Sequence, residues 1–320
     1  MPYGSGKYTY ELVDGWAKLP EGWKFLDIGG ISTDAQDRVY ILNRSEHPVI
    51  VFDREGNVLA SWGEGLFKRV HGSGVGPDGS VYCSDDKNHT VRKFTPEGKL
   101  LMTLGNKDKP SDTGYVQDWF DFFWSLTTIT KGGLPFNRPT GVALSSSGEI
   151  YVSDGYGNAR VHKFASDGTF LFSWGEPGYA PGQFRLPHNI WVDKQDRVWV
   201  PDRENSRIQI FDARGKFLDQ WEDVIRPTDV CLDEEGIIYV SELCLRVSIF
   251  TPDGKLLARW GTEERQDAET ALFLAPHAIA VDSRGDLYIG EVSWTHNKID
   301  RGPRTVQKFA RRTQLAGVAD

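Results

Sequence analysis

A chain of 320 residues with 45 acidic and 37 basic side chains has a formal charge of −8 and no Lys/Arg-rich block, which excludes a basic nucleic-acid footprint. No apolar run near the N-terminus is long enough for a signal peptide or a bilayer span, so the expectation is a cytoplasmic protein without a membrane partner. Three cysteines, Cys83, Cys231 and Cys244, are odd in number and have no close pair; they read as buried free thiols rather than a disulfide framework.

In chain order, residues 7–16 (KYTYELVDGW) alternate like a strand. Six copies of one pattern follow: an apolar strand, a turn with Asp or Gly, an aromatic-bearing strand, a polar loop, a strand ending in Phe, another turn and a strand ending near Trp-Gly. The marker aromatic is Tyr40, Tyr82, Tyr151, Trp199, Tyr239 and Tyr288 in turn. Four short strands in a period of roughly 40–50 residues predict a propeller blade. No segment has the three- and four-residue apolar spacing of a long helix. The reading is therefore all-β: a six-bladed β-propeller in one domain, residues 1–320, with blades near 29–65, 71–107, 139–178, 187–224, 227–264 and 276–312.

Two features depart from the repeat. The sixth copy ends in its third strand, near Phe309, so residues 7–16 are expected to supply its missing outer strand and close the ring. Residues 106–138 insert an aromatic cluster, Trp119, Phe120, Phe122, Phe123 and Trp124, between the second and third blades. An insertion of this length in a compact repeat reads as a lid or an interface element.

His71, His188 and His277 each stand eleven residues ahead of the marker aromatic, in the second, fourth and sixth copies. The intervening copies carry Gly29, Thr140 and Thr228 there. One histidine at the start of a strand is more often structural, but three at alternate copies place three imidazoles around one axis. That is a three-histidine metal site with an open position. Neutral imidazole suits zinc, with iron, cobalt or copper as competitors. His47, His89, His162 and His296 read as surface groups. The loops after the second strands share the histidine face, which brings in Arg44, Tyr156 and Arg203. Two guanidinium forks match a carboxylate, and a phenol can act as acid or base.

With these residues the sequence resembles the peptidyl-α-hydroxyglycine α-amidating lyase family over nearly its whole length. The strongest segments are SDGYGNAR (153–160), WGE through PGQF (174–184), LPH (186–188) and DRENSRI (202–208); PH (276–277) continues the pattern and VHG (70–72) fits more loosely. The repeat by itself is of the generic NHL type, whereas the histidine triplet with its Tyr and Arg loops is specific. The resemblance implies zinc on His71, His188 and His277, a catalytic tyrosine at Tyr156, and catalytic and substrate-binding arginines at Arg203 and Arg44. It implies cleavage of an N-acyl-α-hydroxyglycine, small-molecule or peptide, into an amide and glyoxylate. Two positions depart. Ala278 replaces the family's calcium-binding aspartate, which puts calcium in doubt, and Gly157 replaces a disulfide cysteine of the animal enzymes. Two other readings compete: a metal-dependent propeller lactonase or hydrolase, and a non-catalytic NHL scaffold.

Overall fold

The computed structural model describes residues 2–262, 267 and 269–312. Six antiparallel sheets form a six-bladed β-propeller, five of them four-stranded and the last five-stranded. The first strands, Ile28–Thr33, Val70–Val75, Pro139–Leu144, Trp191–Val192, Pro227–Leu232 and Pro276–Val281, line the central channel. The second strands are Val39–Asn43, Val81–Asp85, Ile150–Asp154, Val198–Asp202, Ile238–Glu242 and Leu287–Glu291, and all of their residues are buried. Sandwiched between neighbouring blades, these strands have no solvent face, which is why they read as runs of Val, Ile and Tyr rather than as a clean alternation. The outermost strands, such as Phe170–Trp174 and Phe217–Trp221, turn partly to solvent.

The ring closes through both ends of the described chain. Tyr8–Val13 pairs antiparallel with Val306–Arg311, with Tyr10 opposite Arg311 and Leu12 opposite Phe309. Tyr10 also packs on Trp260 of the fifth blade at 5.3 Å between ring centroids. A further edge strand, Tyr3–Ser5, extends this blade beyond what the repeat predicts. Its three residues are too few to show alternation.

One device holds the loop that leads into every first strand. At the end of each second strand a fully buried polar side chain accepts backbone N–H groups from that loop. Asp85 accepts from Lys68 and Arg69 at 2.8 and 3.0 Å, and Asp202 from Arg185 and Leu186 at 3.0 and 3.1 Å. Glu291 accepts from Leu274 at 3.1 Å, Asp154 from Asn137 at 2.8 Å, Glu242 from Ile225 at 2.5 Å, and Asn43 from Leu26 at 3.2 Å. Such loops have no ladder partner, so a buried acceptor is needed for their donors.

Blades also lock through tryptophan and glycine. Gly98, in the hairpin between the third and fourth strands of blade two, has φ +88° and would place a Cβ 2.3 Å from Cγ of Trp62 in blade one. Gly215 meets Trp174 of the preceding blade in the same way, at 2.7 Å. Only glycine accepts both the left-handed turn and the close approach. Gly98→Ala is expected to destabilise the fold by about 1–3 kcal/mol, read as a lower midpoint in chemical denaturation.

Candidate metal centre

The carboxylate braces place the histidines. His71 follows the Asp85-held amide of Arg69 by two residues, and His188 follows the Asp202-held amide of Leu186 by two. His277 comes three after Leu274, which Glu291 holds. The His188 N–H also donates to the Pro201 carbonyl at 2.8 Å. The three rings converge on the axis edge to face, with centroids 4.7–4.8 Å apart, and all three are buried.

Residues of the intervening blades aim the rings. His71 Nδ1 bonds the Thr140 carbonyl and His188 Nδ1 the Thr228 carbonyl, both at 2.6 Å. The same two threonines donate their hydroxyls to Pro187 and Pro276, the residues just ahead of the next histidines, at 2.7 and 3.1 Å. A carbonyl acceptor fixes the proton on Nδ1 and leaves Nε2 with a free lone pair facing the axis. The third interval has Gly29, where a Cβ would lie 2.5 Å from the Val70 carbonyl, and His277 Nδ1 has no partner. One ligand atom from each histidine lies within 4.8 Å of the others, the single group of this kind among the described residues. Burial first, and then a neighbouring imidazole and nearby guanidiniums (Arg44 and Arg69 for His71, Arg203 and Arg44 for His188 and His277), hold all three well below the ordinary histidine pKa. Neutral and convergent, with the tautomers of His71 and His188 fixed by carbonyls, the three side chains fit a metal ion.

Tyr156 lies on this triad. Its hydroxyl is 3.1 Å from His71 Nε2 and 3.2 Å from His188 Nε2, with Nη1 of the buried Arg203 at 3.5 Å. Three guanidiniums surround its ring, Arg138, Arg69 and Arg203, at 5.1, 5.5 and 5.6 Å from the centroid. Arg203 is held by Glu204 at 2.7 Å, and Glu204 in turn takes Arg226 at 2.8 Å. Arg44 donates Nε–H to the Val70 carbonyl at 3.1 Å and stands 3.9 Å from Asp27, while its buried Nη2 has no partner.

Sequence reasoning missed part of this cluster. Asp86, fully buried, accepts from Arg69 at 2.6 Å and from Arg138 at 3.0 Å. Those two guanidiniums hold its carboxyl far below the usual range against the opposing effect of burial. Arg138 also donates to the Tyr115 hydroxyl at 2.7 Å. Arg69, Arg138 and Arg226 each stand two residues ahead of the histidine position of their copies, at His71, Thr140 and Thr228, so the repeat does carry a signal that could find them. The surface expectation for one other histidine also needs correction. His162 is fully buried 3.3 Å from Asp154, because its third strand is enclosed between blades. His296, on the helix Ser293–Asn297, is exposed as expected, though its ring is crowded at the rim of the site. That crowding, with the charges of Arg203, Arg226 and Arg44, lowers its pKa to about 4. His47 and His89 are half-buried, stacked on Trp23 and accepting from the Arg138 N–H respectively.

The insertion lies over this face. It contains the helix Phe122–Thr127, capped by Asp121, whose carboxylate accepts from Trp124 N–H at 2.8 Å. Phe122 packs on Tyr156 with ring centroids 6.1 Å apart and lies 5.5 Å from the Arg203 guanidinium. Thr113 and Asn137 tie the insertion to the Tyr156 loop: Thr113 donates to the Gly157 carbonyl at 2.6 Å, and Gly157 N–H donates to the Asn137 carbonyl at 3.0 Å. A Cβ on Gly157 would stand 2.3 Å from Asn137 Oδ1, so this loop leaves no room for the cysteine of the animal enzymes.

The residues do not fit the calcium that the resemblance brings. Ala278 offers no ligand atom. The nearby buried carboxylate, Asp229, already accepts from Asn189 Nδ2 and from the N–H groups of Val230 and Ile279. Burial pushes its pKa up to about 8. A carboxyl filled by three donors and disposed to stay protonated is a poor cation ligand.

Comparison with known proteins agrees with this architecture. NHL repeats match residues 136–164 and 184–211. The chain is 31% identical over 263 residues to human NHL repeat-containing protein 3, covering 78% of this chain and 66% of that one. It is 31% identical over 179 residues to peptidyl-alpha-hydroxyglycine alpha-amidating lyase 1 of Drosophila melanogaster, covering 52% of this chain and 29% of that one. It thus spans just under two thirds of the human relative and less than a third of the fly one. Among solved structures a streptogramin B lyase superposes with a TM-score of 0.62 at 13% identity, over 96% of this chain and all of that one, which speaks for the fold alone. The chain is thus an NHL-repeat six-bladed propeller, homologous to NHL repeat-containing protein 3 and to amidating-lyase domains. Among the described residues no helix is long and apolar enough to cross a membrane.

Two outcomes follow from the geometry. Substituting Ala for His71, His188 or His277 is expected to abolish stoichiometric metal, measured by plasma mass spectrometry, while far-UV circular dichroism stays that of the folded ring. In metal-free protein the histidines have folded pKa values below the unfolded value of about 6.5. The unfolded chain therefore binds more protons as pH falls past that value. Stability is expected to be full above it and to decline below it, by up to about 1.4 kcal/mol per pH unit for each histidine. Denaturation at pH 7.5 and pH 5 measures this, and His→Gln variants should flatten the dependence.

Proposed function

We propose that the protein is a zinc-dependent lyase that cleaves the C–N bond of N-acyl-α-hydroxyglycines, releasing an amide and glyoxylate. The observation that carries this reading is the Tyr156 hydroxyl, poised between two imidazole Nε2 atoms with Arg203 beside it and Arg44, whose Nη2 has no protein partner, in the same cluster. Zinc on His71, His188 and His277 would supply Lewis-acid polarisation of the substrate hydroxyl.

The protein's own residues supply the rest. Arg203 and Arg44 hold the substrate carboxylate, and the open Nη2 of Arg44 receives one of its oxygens. Tyr156, entering as its phenolate, accepts the hydroxyl proton. As the C=O bond of glyoxylate forms, the electron pair of the C–N bond leaves with nitrogen, and Tyr156 returns the proton to it. Atoms and charge balance without an added reductant, oxidant or water. Phe122, packed over Tyr156 and Arg203, excludes solvent from this exchange.

The test is glyoxylate release from α-hydroxyhippurate by the zinc-loaded protein. Tyr156→Phe is expected to lower kcat by roughly a hundredfold or more with metal content unchanged. Arg203→Lys should act chiefly on KM, since an ammonium cannot form the paired hydrogen bonds of a guanidinium. Wild-type turnover by Tyr156→Phe across the whole pH range would remove the tyrosine from this role.

A further inference from the structure

Four large aromatic side chains in one six-residue stretch face solvent at the rim of the site. Trp119 is 75% exposed, Phe120 fully so, Phe123 50% and Trp124 47%. A contiguous apolar surface of this kind is unfavourable in water unless something covers it. The stretch is held in place rather than loose. Asp118 accepts from the N–H groups of Phe120 and Asp121 at 2.7 and 3.1 Å, Asp121 caps the helix, and Ser125 accepts from Asp118 N–H at 2.7 Å.

The patch is continuous with the site. Tyr156 touches Phe122, Phe122 packs edge to face on Phe123 at 5.7 Å, and Phe123 lies 5.6 Å from the Arg226 guanidinium. On the other side Trp119 lies 5.9 Å from Lys87, in the loop after the second strand of blade two. The aromatics therefore span the mouth from blade two to blade five. Below, the three packed imidazoles fill the axis. A ligand whose carboxylate sits at Arg44 and Arg203 must extend its other end across this rim.

We infer that residues 119–124 form an acyl subsite that selects N-acyl-α-hydroxyglycines with a long apolar acyl chain over short or polar ones. The inference rests on the proposed lyase chemistry only for the orientation of the substrate. An alkyl chain laid on Trp119, Phe120 and Phe123 covers their exposed faces, and each methylene removed from water adds to affinity.

Calorimetry with N-decanoylglycine and N-acetylglycine tests it, because neither probe carries the hydroxyl and neither can be cleaved. The decanoyl probe is expected to bind the zinc-loaded protein about thirtyfold more tightly. In a Trp119→Ser, Phe120→Ser, Phe123→Ser variant, which changes only solvent-facing side chains, the ratio should fall to about threefold or less with N-acetylglycine affinity unchanged. Trp119→Phe should retain the preference. Equal affinities in the wild type, or an undiminished ratio in the triple variant, would overturn the inference. A dimer in sedimentation that the triple variant dissolves, without an acyl preference, would assign the patch to a second copy and overturn it too. Glyoxylate release from the N-decanoyl and N-acetyl α-hydroxyglycines separates the two ideas. Acyl-selective binding with no glyoxylate from either sinks the lyase reading and leaves the subsite, whereas glyoxylate without acyl selectivity does the reverse.

Discussion

The site depends on a buried carboxylate at the end of a second strand, accepting the backbone amides of the loop that leads into the first. Burial alone disfavours such a charge, and it raises Asp202, Glu242 and Glu291, the last to about 7. Each is compensated by N–H donors and by a buried arginine: Arg207 for Asp202, Arg246 for Glu242 and Arg301 for Glu291. Removing one partner of such a buried pair typically costs about 3–5 kcal/mol, because the other charge and the loop donors lose their partners together. The histidines inherit their precision from these braces, being only two or three residues downstream.

Around the triad the charges are arranged to favour an anion. Arg69 and Arg138 share Asp86, and Arg203 and Arg226 share Glu204, so more guanidiniums than carboxylates face the mouth. The surrounding positive charge also helps keep the imidazoles neutral, as metal ligation requires. Arg44 is the contrast within the set: burial lowers its pKa, and its Nη2 lacks an acceptor. Under the proposed function, the substrate carboxylate would supply that acceptor.

The insertion is part of the same machinery rather than an appendage. Thr113 fixes the Tyr156 loop from outside the repeat and Asn137 from its blade's entry loop, and Tyr115 steadies Arg138. A regular six-fold ring would present the three histidines but would have nothing to hold the tyrosine above two of them. The glycine after Tyr156 is the local signature, since the backbone there lies against Asn137.

By itself the sequence determined the repeat, the number of blades, the closing strand and the alternation of histidines. These are periodic properties, and a period carries its own three-dimensional consequence: equivalent positions in a closed ring occupy equivalent places. It also brought Arg44, Tyr156 and Arg203 to the correct face through their common place after the second strand. Tertiary structure alone decided what breaks the period. The sharing of Asp86 by Arg69 and Arg138 beside Tyr156 joins two blades, His162 is enclosed by neighbouring blades, and Phe122 reaches the site from an insertion without counterparts. Equivalent positions tell which loops share a face but not which side chains pair across blades, and an insertion has no equivalent at all, so only the folded chain decides these contacts.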